Sequence, residues 1–318
     1  MATILLTGAS AFSGLWIAEA LAADGHHVLA PLLREPEAYA GIRRDRVNRL
    51  SEIAEVVFAA PVATPRFYDL IGSRRPSVMA HHAAQISNYR EMDYDPVDGL
   101  VRNVEGMGDV IRALSSSGAG AIITTGTTFE LGEGGADPLD LAVTRYGLSQ
   151  SLTREMWLHE TRWAGLAHAR FVIPAPFGVL EEGRFAWSLF QNWLSDRPGV
   201  VRAPALIRDN VPAPLLGMAY SRLVGRLLEG GPSDTTARPS GIVGTQADYA
   251  RTVARQVEAR LNRECPVELS PPPYAEEPGV RINSETCIPE GWDDGPFWDS
   301  YVQYYLDLQA RGLLSSPA

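Results

Sequence analysis

Lysine is absent from this sequence: all 28 Lys+Arg residues of the 318-residue chain are arginine. That excludes Schiff-base chemistry and any mechanism that needs an ε-ammonium group. Cysteine is nearly absent as well. Cys265 and Cys287 are the only two, too few for a disulfide framework or a zinc site, so no metal centre is expected. No run of about 18 apolar residues occurs, which argues against a membrane span. The N-terminal stretch MATILLTGAS lacks the basic region of a signal peptide. Positive charge is in deficit, with 38 Asp+Glu giving a net charge of −10. Nucleic acid is therefore disfavoured as a partner, because a phosphate backbone calls for a basic surface. A soluble, cytoplasmic enzyme acting on a small molecule is the expectation.

What is present is ordinary globular composition, 45% hydrophobic and 21% charged, in a chain long enough for a large core. Its first half alternates short apolar runs with helical patterns, which predicts parallel strands joined by crossover helices. Strands are expected at Ala2–Leu6, His27–Leu33, Glu55–Ala59, Val78–His82, Ala121–Thr125 and Ala169–Ile173. Helices are expected from Gly14 to Asp24, from Val97 to Ser115 and from Thr144 to Trp163. After Pro174 proline and glycine become frequent, and short helical stretches (Phe185–Leu194, Leu215–Leu228, Tyr249–Leu261) alternate with irregular segments. The aromatic tail Phe297–Leu308 reads as a terminal helix docked on the core. The fold class is α/β: a Rossmann-type doubly wound parallel sheet of six or seven strands with a smaller C-terminal substrate lobe. Residues 1–175 would form the dinucleotide-binding domain and 176–318 the lobe, partly woven back onto the sheet.

The segment Thr7-Gly8-Ala9-Ser10-Ala11-Phe12-Ser13-Gly14 sits between a strand and a helix. Gly8 permits a tight turn, Gly14 lets the helix approach the sheet, and the helix N-terminus points its amides at a pyrophosphate. Ala11 replaces the middle glycine with a residue one methyl larger. At the end of the second strand, where an acid would bind the ribose of NAD, the chain reads Leu32-Leu33-Arg34. An arginine there suits the 2′-phosphate of NADP(H), expected over NAD(H). The plainer reading, a solvated loop arginine, stays open. His81, His82 and His159 are candidates for acid–base chemistry near neutral pH, or simply strand-end and helix-surface residues.

In order and spacing these motifs resemble the extended short-chain dehydrogenase/reductase family, also called NAD-dependent epimerase/dehydratases. TGASAFSG is similar to the family's TGxxGxxG, His82-Ala83-Ala84 to its HxAA strand end, and Asn103-Val104-Glu105-Gly106 to its NxxG. Thr124-Thr125 followed by Tyr146-Gly147-Leu148-Ser149-Gln150 resembles its Ser/Thr and YxxxK pair. Ile173-Pro174-Ala175-Pro176-Phe177-Gly178 resembles its RxxNxxG-type loop, and Arg208-Asp209-Asn210-Val211 its substrate-lobe segment. The stretches HHAAQISNY and RINSETC look most similar to bacterial nucleotide-deoxysugar reductases. The resemblance implies reduction of a keto group on a nucleotide-linked sugar. Tyr146 would be the general acid, Thr125 the hydroxyl that orients the substrate oxygen, and Gln150 a ribose contact. Gly8, Ser10, Ala11, Phe12, Gly14, Arg34, Ala83, Ala84 and Pro174 would line the cofactor together with Tyr146 and Gln150. Gln85, Thr127, Arg208 and Arg281 would meet the substrate, the arginines taking its phosphates. A homodimer paired through the long helices is implied too.

Several positions depart from that pattern. Gln150 stands where the family has lysine, and a neutral amide cannot lower the pKa of Tyr146 electrostatically. Ala11 and Ala175 replace a glycine and an asparagine, and Phe58-Ala59-Ala60-Pro61 offers no acid for the adenine. Two accounts compete. Either reduction proceeds without the lysine, or the chain is a redox-inactive relative, a non-redox enzyme reusing the pocket or a silent binding subunit. A purely structural protein has no positive feature in its favour.

Overall fold

In the computed structural model, residues 1–86, 89, 93–135, 141–270 and 279–314 are described. The N-terminal half runs β1 (Thr3–Thr7), α1 (Phe12–Ala23), β2 (His27–Pro31), α2 (Gly41–Ile53), β3 (Glu55–Val57), α3 (Pro65–Arg74), β4 (Val78–His81), α4 (Pro96–Val104), α5 (Met107–Ser117), β5 (Ala121–Thr127), α6 (Arg145–Trp163) and β6 (Ala167–Ile173). The remainder runs β7 (Ala175–Phe177), α7 (Phe185–Trp193), β8 (Gly199–Val201), β9 (Ile207–Pro212), α8 (Ala213–Leu228), β10 (Thr235–Ala237), β11 (Pro239–Ser240), β12 (Ile242–Thr245), α9 (Gln246–Leu261), β13 (Val267–Leu269), β14 (Val280–Arg281), β15 (Glu285–Thr286) and α10 (Gly295–Ala310).

Seven strands form one parallel sheet in the order β10-β6-β5-β4-β1-β2-β3. The order reverses beside β1, so the strand ends of β1 and β4 open a crevice above the sheet, the place where such folds bind ligands. Both faces are covered, which is why the central strands are mainly apolar. Side-chain alternation sends Ile4, Leu6, Val28, Ile123 and Phe171 to a core under α1, α2 and α8. Leu5, Leu29, Met79 and Ile122 go to a second core closed by α3, α5 and Trp157 of α6. In the C-terminal half, β9 pairs with β12, β14 and β7 in a mixed sheet, while β10 returns to the main sheet as its seventh strand.

The expected strands and helices are present within a few residues, with one break. The helix expected from Val97 to Ser115 is two helices, parted at Gly106, which sits at φ +67°. A Cβ on Gly106 would lie 2.3 Å from that of Ala63, so the chain must turn with a residue that has none. Helices α2 and α3 are not signalled by the hydrophobic pattern. Helix α2 buries only Ile42, Arg46, Val47 and Leu50, too sparse a stripe to stand out among its arginines.

Candidate functional site

The strand–turn–helix at residues 7–14 is built on close approach. Gly8 has φ +71°, and a Cβ there would lie 2.8 Å from the Ala83 amide nitrogen. At Gly14 it would lie 2.2 Å from the Gly8 carbonyl oxygen. Between them Ala11 is extended and precedes α1 without capping it through a side chain. The first-turn amides of α1, from Phe12 onward, are thus left for a ligand. Arg46 of α2 fastens the turn: its Nε donates to the Ser10 carbonyl at 3.0 Å and its Nη1 to the Leu180 carbonyl at 2.9 Å. Beyond β2, Leu32 is buried and Arg34 is exposed, its amide donating to the Tyr39 hydroxyl at 3.3 Å.

Behind the turn lies a chain of hydroxyls and imidazoles. Thr7 Oγ1 accepts the amides of His82 and Ala83, each at 3.1 Å. Having accepted twice, its own hydrogen is left for His81 Nδ1, 3.1 Å away, so neutral His81 carries its proton on Nε2. The His81 ring packs on Trp157 at 4.7 Å. His82 contacts Ser13 Oγ through Nε2 and Thr125 Oγ1 through Nδ1, both at 3.0 Å. Burial pushes both imidazoles down to about 4, and the neighbouring His82 lowers His81 further. His159 belongs to neither group: it is exposed, stacked on Trp163 and beside Glu160.

Tyr146 stands at the start of α6, whose N-cap Thr144 accepts the Gly147 amide at 2.9 Å. Its ring is held by Tyr89, Tyr94 and Phe129, with centroids at 5.2, 5.8 and 6.3 Å. Burial pushes its hydroxyl well above the usual phenol value, and Glu130, Tyr89 and Tyr94 push the same way while Arg170 opposes them. One helical turn on, Gln150 is buried and its Nε2 has no partner among the described residues. With Ala83, Ala84, Asn103, Thr125 and Arg170 it lines a narrow cavity with room for about one water molecule. Asn103 Oδ1 accepts the Gln85 amide at 2.7 Å.

The remaining residues close the cleft. Arg170 of β6 forms a buried ion pair with Glu130, its guanidinium lying over Gly126, where a Cβ would be 2.4 Å away. Glu130 also accepts the Thr127 amide at 2.7 Å. Arg281 stacks on Phe129 at 4.1 Å, bringing β14 beside the Tyr146 cage. Arg208 is buried in β9, donating to the Ile207 carbonyl at 2.8 Å, and Pro174 is half-buried at the joint of β6 and β7. Thr125, Gln150, Ala83 and Ala84 thus share one cavity, Tyr146 and Arg281 share Phe129, and Arg34 stands apart at the end of β2. Ser87 and Asn88 of HHAAQISNY lie outside the described residues. Sequence reasoning passed over Arg170, Glu130 and Arg46. Arg170 carried a signal: it is the one charged residue in the strand AHARFVI, and a charge in a buried strand needs a partner.

A model of the NAD dependent epimerase/dehydratase family matches residues 4–162. This chain belongs to that family. Among solved structures, UDP-glucose 4-epimerase from Thermotoga maritima aligns with a TM-score of 0.72 at 15% identity, over 96% of this chain and 99% of that one. UDP-glucuronic acid 4-epimerase from Bacillus cereus aligns with 0.71 at 16%, over 96% and 99%. UDP-glucose-4-epimerase from Stenotrophomonas maltophila aligns with 0.73 at 16%, over 98% and 100%. At such identities these likenesses describe the fold. Homeobox protein ceh-39 of Caenorhabditis elegans is 34% identical over 97 residues, 30% of this chain and 24% of that protein. The chain thus spans about a quarter of the length of that curated relative. Family membership names a nicotinamide dinucleotide, and the site fits one. The α1 N-terminus is uncapped, Gly8 lets the turn lie against the chain just past β4 and Gly14 lets α1 close onto the turn, and the orphaned Gln150 amide is a donor for a ribose hydroxyl. No helix among the described residues is long and apolar enough to cross a membrane.

Proposed function

We propose that this protein reduces a keto group on a nucleotide-linked deoxysugar, with NADP(H) preferred over NAD(H). The observation that carries the reading is the setting of Tyr146. Removing hydride from an alcohol requires a base, hence a phenolate, at neutral pH. Burial, Glu130, Tyr89 and Tyr94 all oppose a phenolate here, and neutral Gln150 supplies no countercharge. A phenol that keeps its proton is suited to the opposite task, protonating the alkoxide that forms as a ketone is reduced.

When bound, the nicotinamide supplies the hydride. The α1 amides, with Gly8, Ser10, Ala11, Phe12 and Gly14, hold the pyrophosphate, and Arg34 meets the 2′-phosphate. Ala83, Ala84 and Pro174 flank the reacting end of the cleft, and Gln150 bonds the ribose. Thr125 and Tyr146 address the substrate oxygen. Gln85 and Thr127 contact the sugar, and Arg208 and Arg281 its phosphates. The Bacillus cereus relative, described in complex with UDP-glucuronic acid and NAD, supports the substrate class. A second copy completes the assembly, covering Val97 and Val101 on α4 and Leu148, Leu152 and Met156 on α6, all exposed and spaced to form one stripe on each helix.

The test is a binding titration with NADPH, NADH, NADP⁺ and NAD⁺, followed by NADPH oxidation with a nucleoside-diphosphate 4-keto-6-deoxysugar. Micromolar binding that favours NADPH, with turnover of the keto sugar, is expected. A folded protein that binds none of the four overturns the reading in favour of a redox-inactive relative.

A further inference from the structure

We infer that His82 is a positioning residue, whose bridge between Ser13 and Thr125 turns the Thr125 hydroxyl into a hydrogen-bond donor facing the cleft. The inference rests on the reduction proposed above only for its use, since the hydrogen-bond direction follows from burial alone.

An imidazole holding one proton between two hydroxyls can point either way. In one direction Thr125 donates to Nδ1 and Nε2 donates to Ser13. The Ser13 hydrogen is then stranded, because Ser13 is buried and its hydroxyl has no other partner among the described residues. A buried donor left without an acceptor is disfavoured, because it loses its bond to water and gains none in the protein. In the other direction Ser13 donates to Nε2, and Nδ1–H donates to Thr125 Oγ1, over the same 3.0 Å contacts. The loose hydrogen then emerges on Thr125, which is half-exposed and lines the cavity. There water or a substrate oxygen can accept it.

The surroundings hold this bridge in place. The Tyr220 hydroxyl, fully buried on α8, has no hydrogen-bond partner among the described residues, so nothing there competes for the Thr125 hydrogen. Thr125, accepting from Nδ1–H, keeps its own hydrogen to give toward the cleft. The backbone keeps the imidazole in place, since the His82 amide is tied to Thr7 and Gly8 presses against the His82 carbonyl carbon at 2.9 Å from where a Cβ would be. Among the described residues no carboxylate bonds either ring nitrogen, so the ring stays neutral and passes on direction, not charge.

In a lysine-free site this matters. The family-like lysine position holds Gln150, so the donors left for a developing alkoxide are neutral ones, Tyr146 and Thr125. Ser13 lies in the first turn of α1, so one hydroxyl of the phosphate-binding helix sets the donor at the reacting end.

The direct test reads the tautomer by long-range ¹H–¹⁵N NMR on the full-length, ¹⁵N-labelled protein, with and without NADPH. The His82→Asn variant assigns the signal. A proton on Nδ1 and a bare Nε2 are expected in both states, and a proton on Nε2 overturns the inference whatever the activity. Kinetics with a nucleoside-diphosphate 4-keto-6-deoxysugar give the second arm. Loss of a neutral donor at a developing oxyanion lowers kcat by about 10²–10³-fold, the expectation for Thr125→Val. Ser13→Ala should remove most of the tautomer bias and lower kcat by about 10-fold, with the NADPH Kd within about 2-fold. His82→Asn, which keeps an N–H near Nδ1, should retain more kcat than His82→Ala. Equal losses in Asn and Ala variants, with an unbiased wild-type tautomer, reduce His82 to a packing residue. A wild type that turns over no keto sugar yet shows the expected tautomer counts against the reductase reading and leaves the hydrogen-bond direction standing.

Discussion

Glu181 is fully buried between the loop after β7 and helix α10, and it can be tested through two hydroxyl groups. Its Oε1 accepts the Tyr301 hydroxyl at 2.5 Å and also that of Tyr305, while Oε2 accepts the Gly178 amide at 3.2 Å. The Tyr304 hydroxyl donates to the Glu181 carbonyl at 2.5 Å. Tyr301→Phe and Tyr305→Phe keep the rings, including the stack of Tyr305 on Phe190 at 3.8 Å, and delete only the donors. A hydrogen bond to a charged group contributes about 1.5–3 kcal/mol, so each single variant should lose about 2 kcal/mol. In the double variant the Gly178 amide is the one donor left to the carboxylate among the described residues. The loss should exceed the sum of the singles and approach about 5 kcal/mol, as for an uncompensated buried charge. Burial already raises the Glu181 pKa, and losing both donors raises it further. The folded double variant therefore takes up a proton at higher pH than the wild type, and its deficit should shrink as pH falls. Urea unfolding followed by circular dichroism at pH 7.5 and 5.5 measures both effects. A double variant within about 1 kcal/mol of wild type, or a deficit that is additive and independent of pH, would refute the reasoning.

Three further outcomes are expected. Gln150→Lys places an ammonium one helical turn from Tyr146, and a charge at a separation of about 5 Å is worth about 3 kcal/mol at an effective dielectric constant of 20, enough to lower the phenol pKa by about 2. Turnover should rise and the pH–rate profile for reduction should move to lower pH; an unmoved profile defeats the electrostatic account of Gln150. His81, His82 and His168 each have a folded pKa lowered to about 4 by burial, so the unfolded chain takes up their protons first as pH drops. Stability present above about 6.5 should therefore decline from there toward pH 4, and a melting temperature unchanged between pH 7 and 5.5 would contradict this. Val101→Glu with Leu152→Glu, both on the exposed stripes of α4 and α6, should halve the mass seen by light scattering. A wild type that is already monomeric removes the proposed dimer.

The sheet was legible because its strands are buried on both faces and read as continuous apolar runs, such as TILLT and the first half of AIITTGT. The phosphate-binding turn was legible for a related reason, since the two glycines that allow its close approach cannot be other residues. Helix α2 was obscured by its four arginines, one of which, Arg46, is buried and does its work through backbone carbonyls 36 and 134 residues away in sequence. The setting of Tyr146 was not legible either. Its cage is drawn from Tyr89, Tyr94 and Phe129, on segments whose approach to α6 is set by tertiary packing. Nothing in the spacing of Ser13, His82 and Thr125 indicated that one imidazole would join them.

The return of β10 to the main sheet bears on how the chain can be cut. Thr235–Ala237 pairs with Ala169–Phe171, so the last strand of the first half has its outer edge covered by the second half. Helix α8 packs against α1 at Gly217, where a Cβ would lie 2.2 Å from the Trp16 carbonyl oxygen. A fragment ending near residue 175 would bare a row of unpaired amides and carbonyls along β6 and strip the apolar side of α1. Exposed edges of this kind recruit other strands, so such a fragment should self-associate instead of standing as a free nucleotide-binding module. Swapping lobes between relatives at that junction would meet the same obstacle, and a crossover placed after β10 would avoid it.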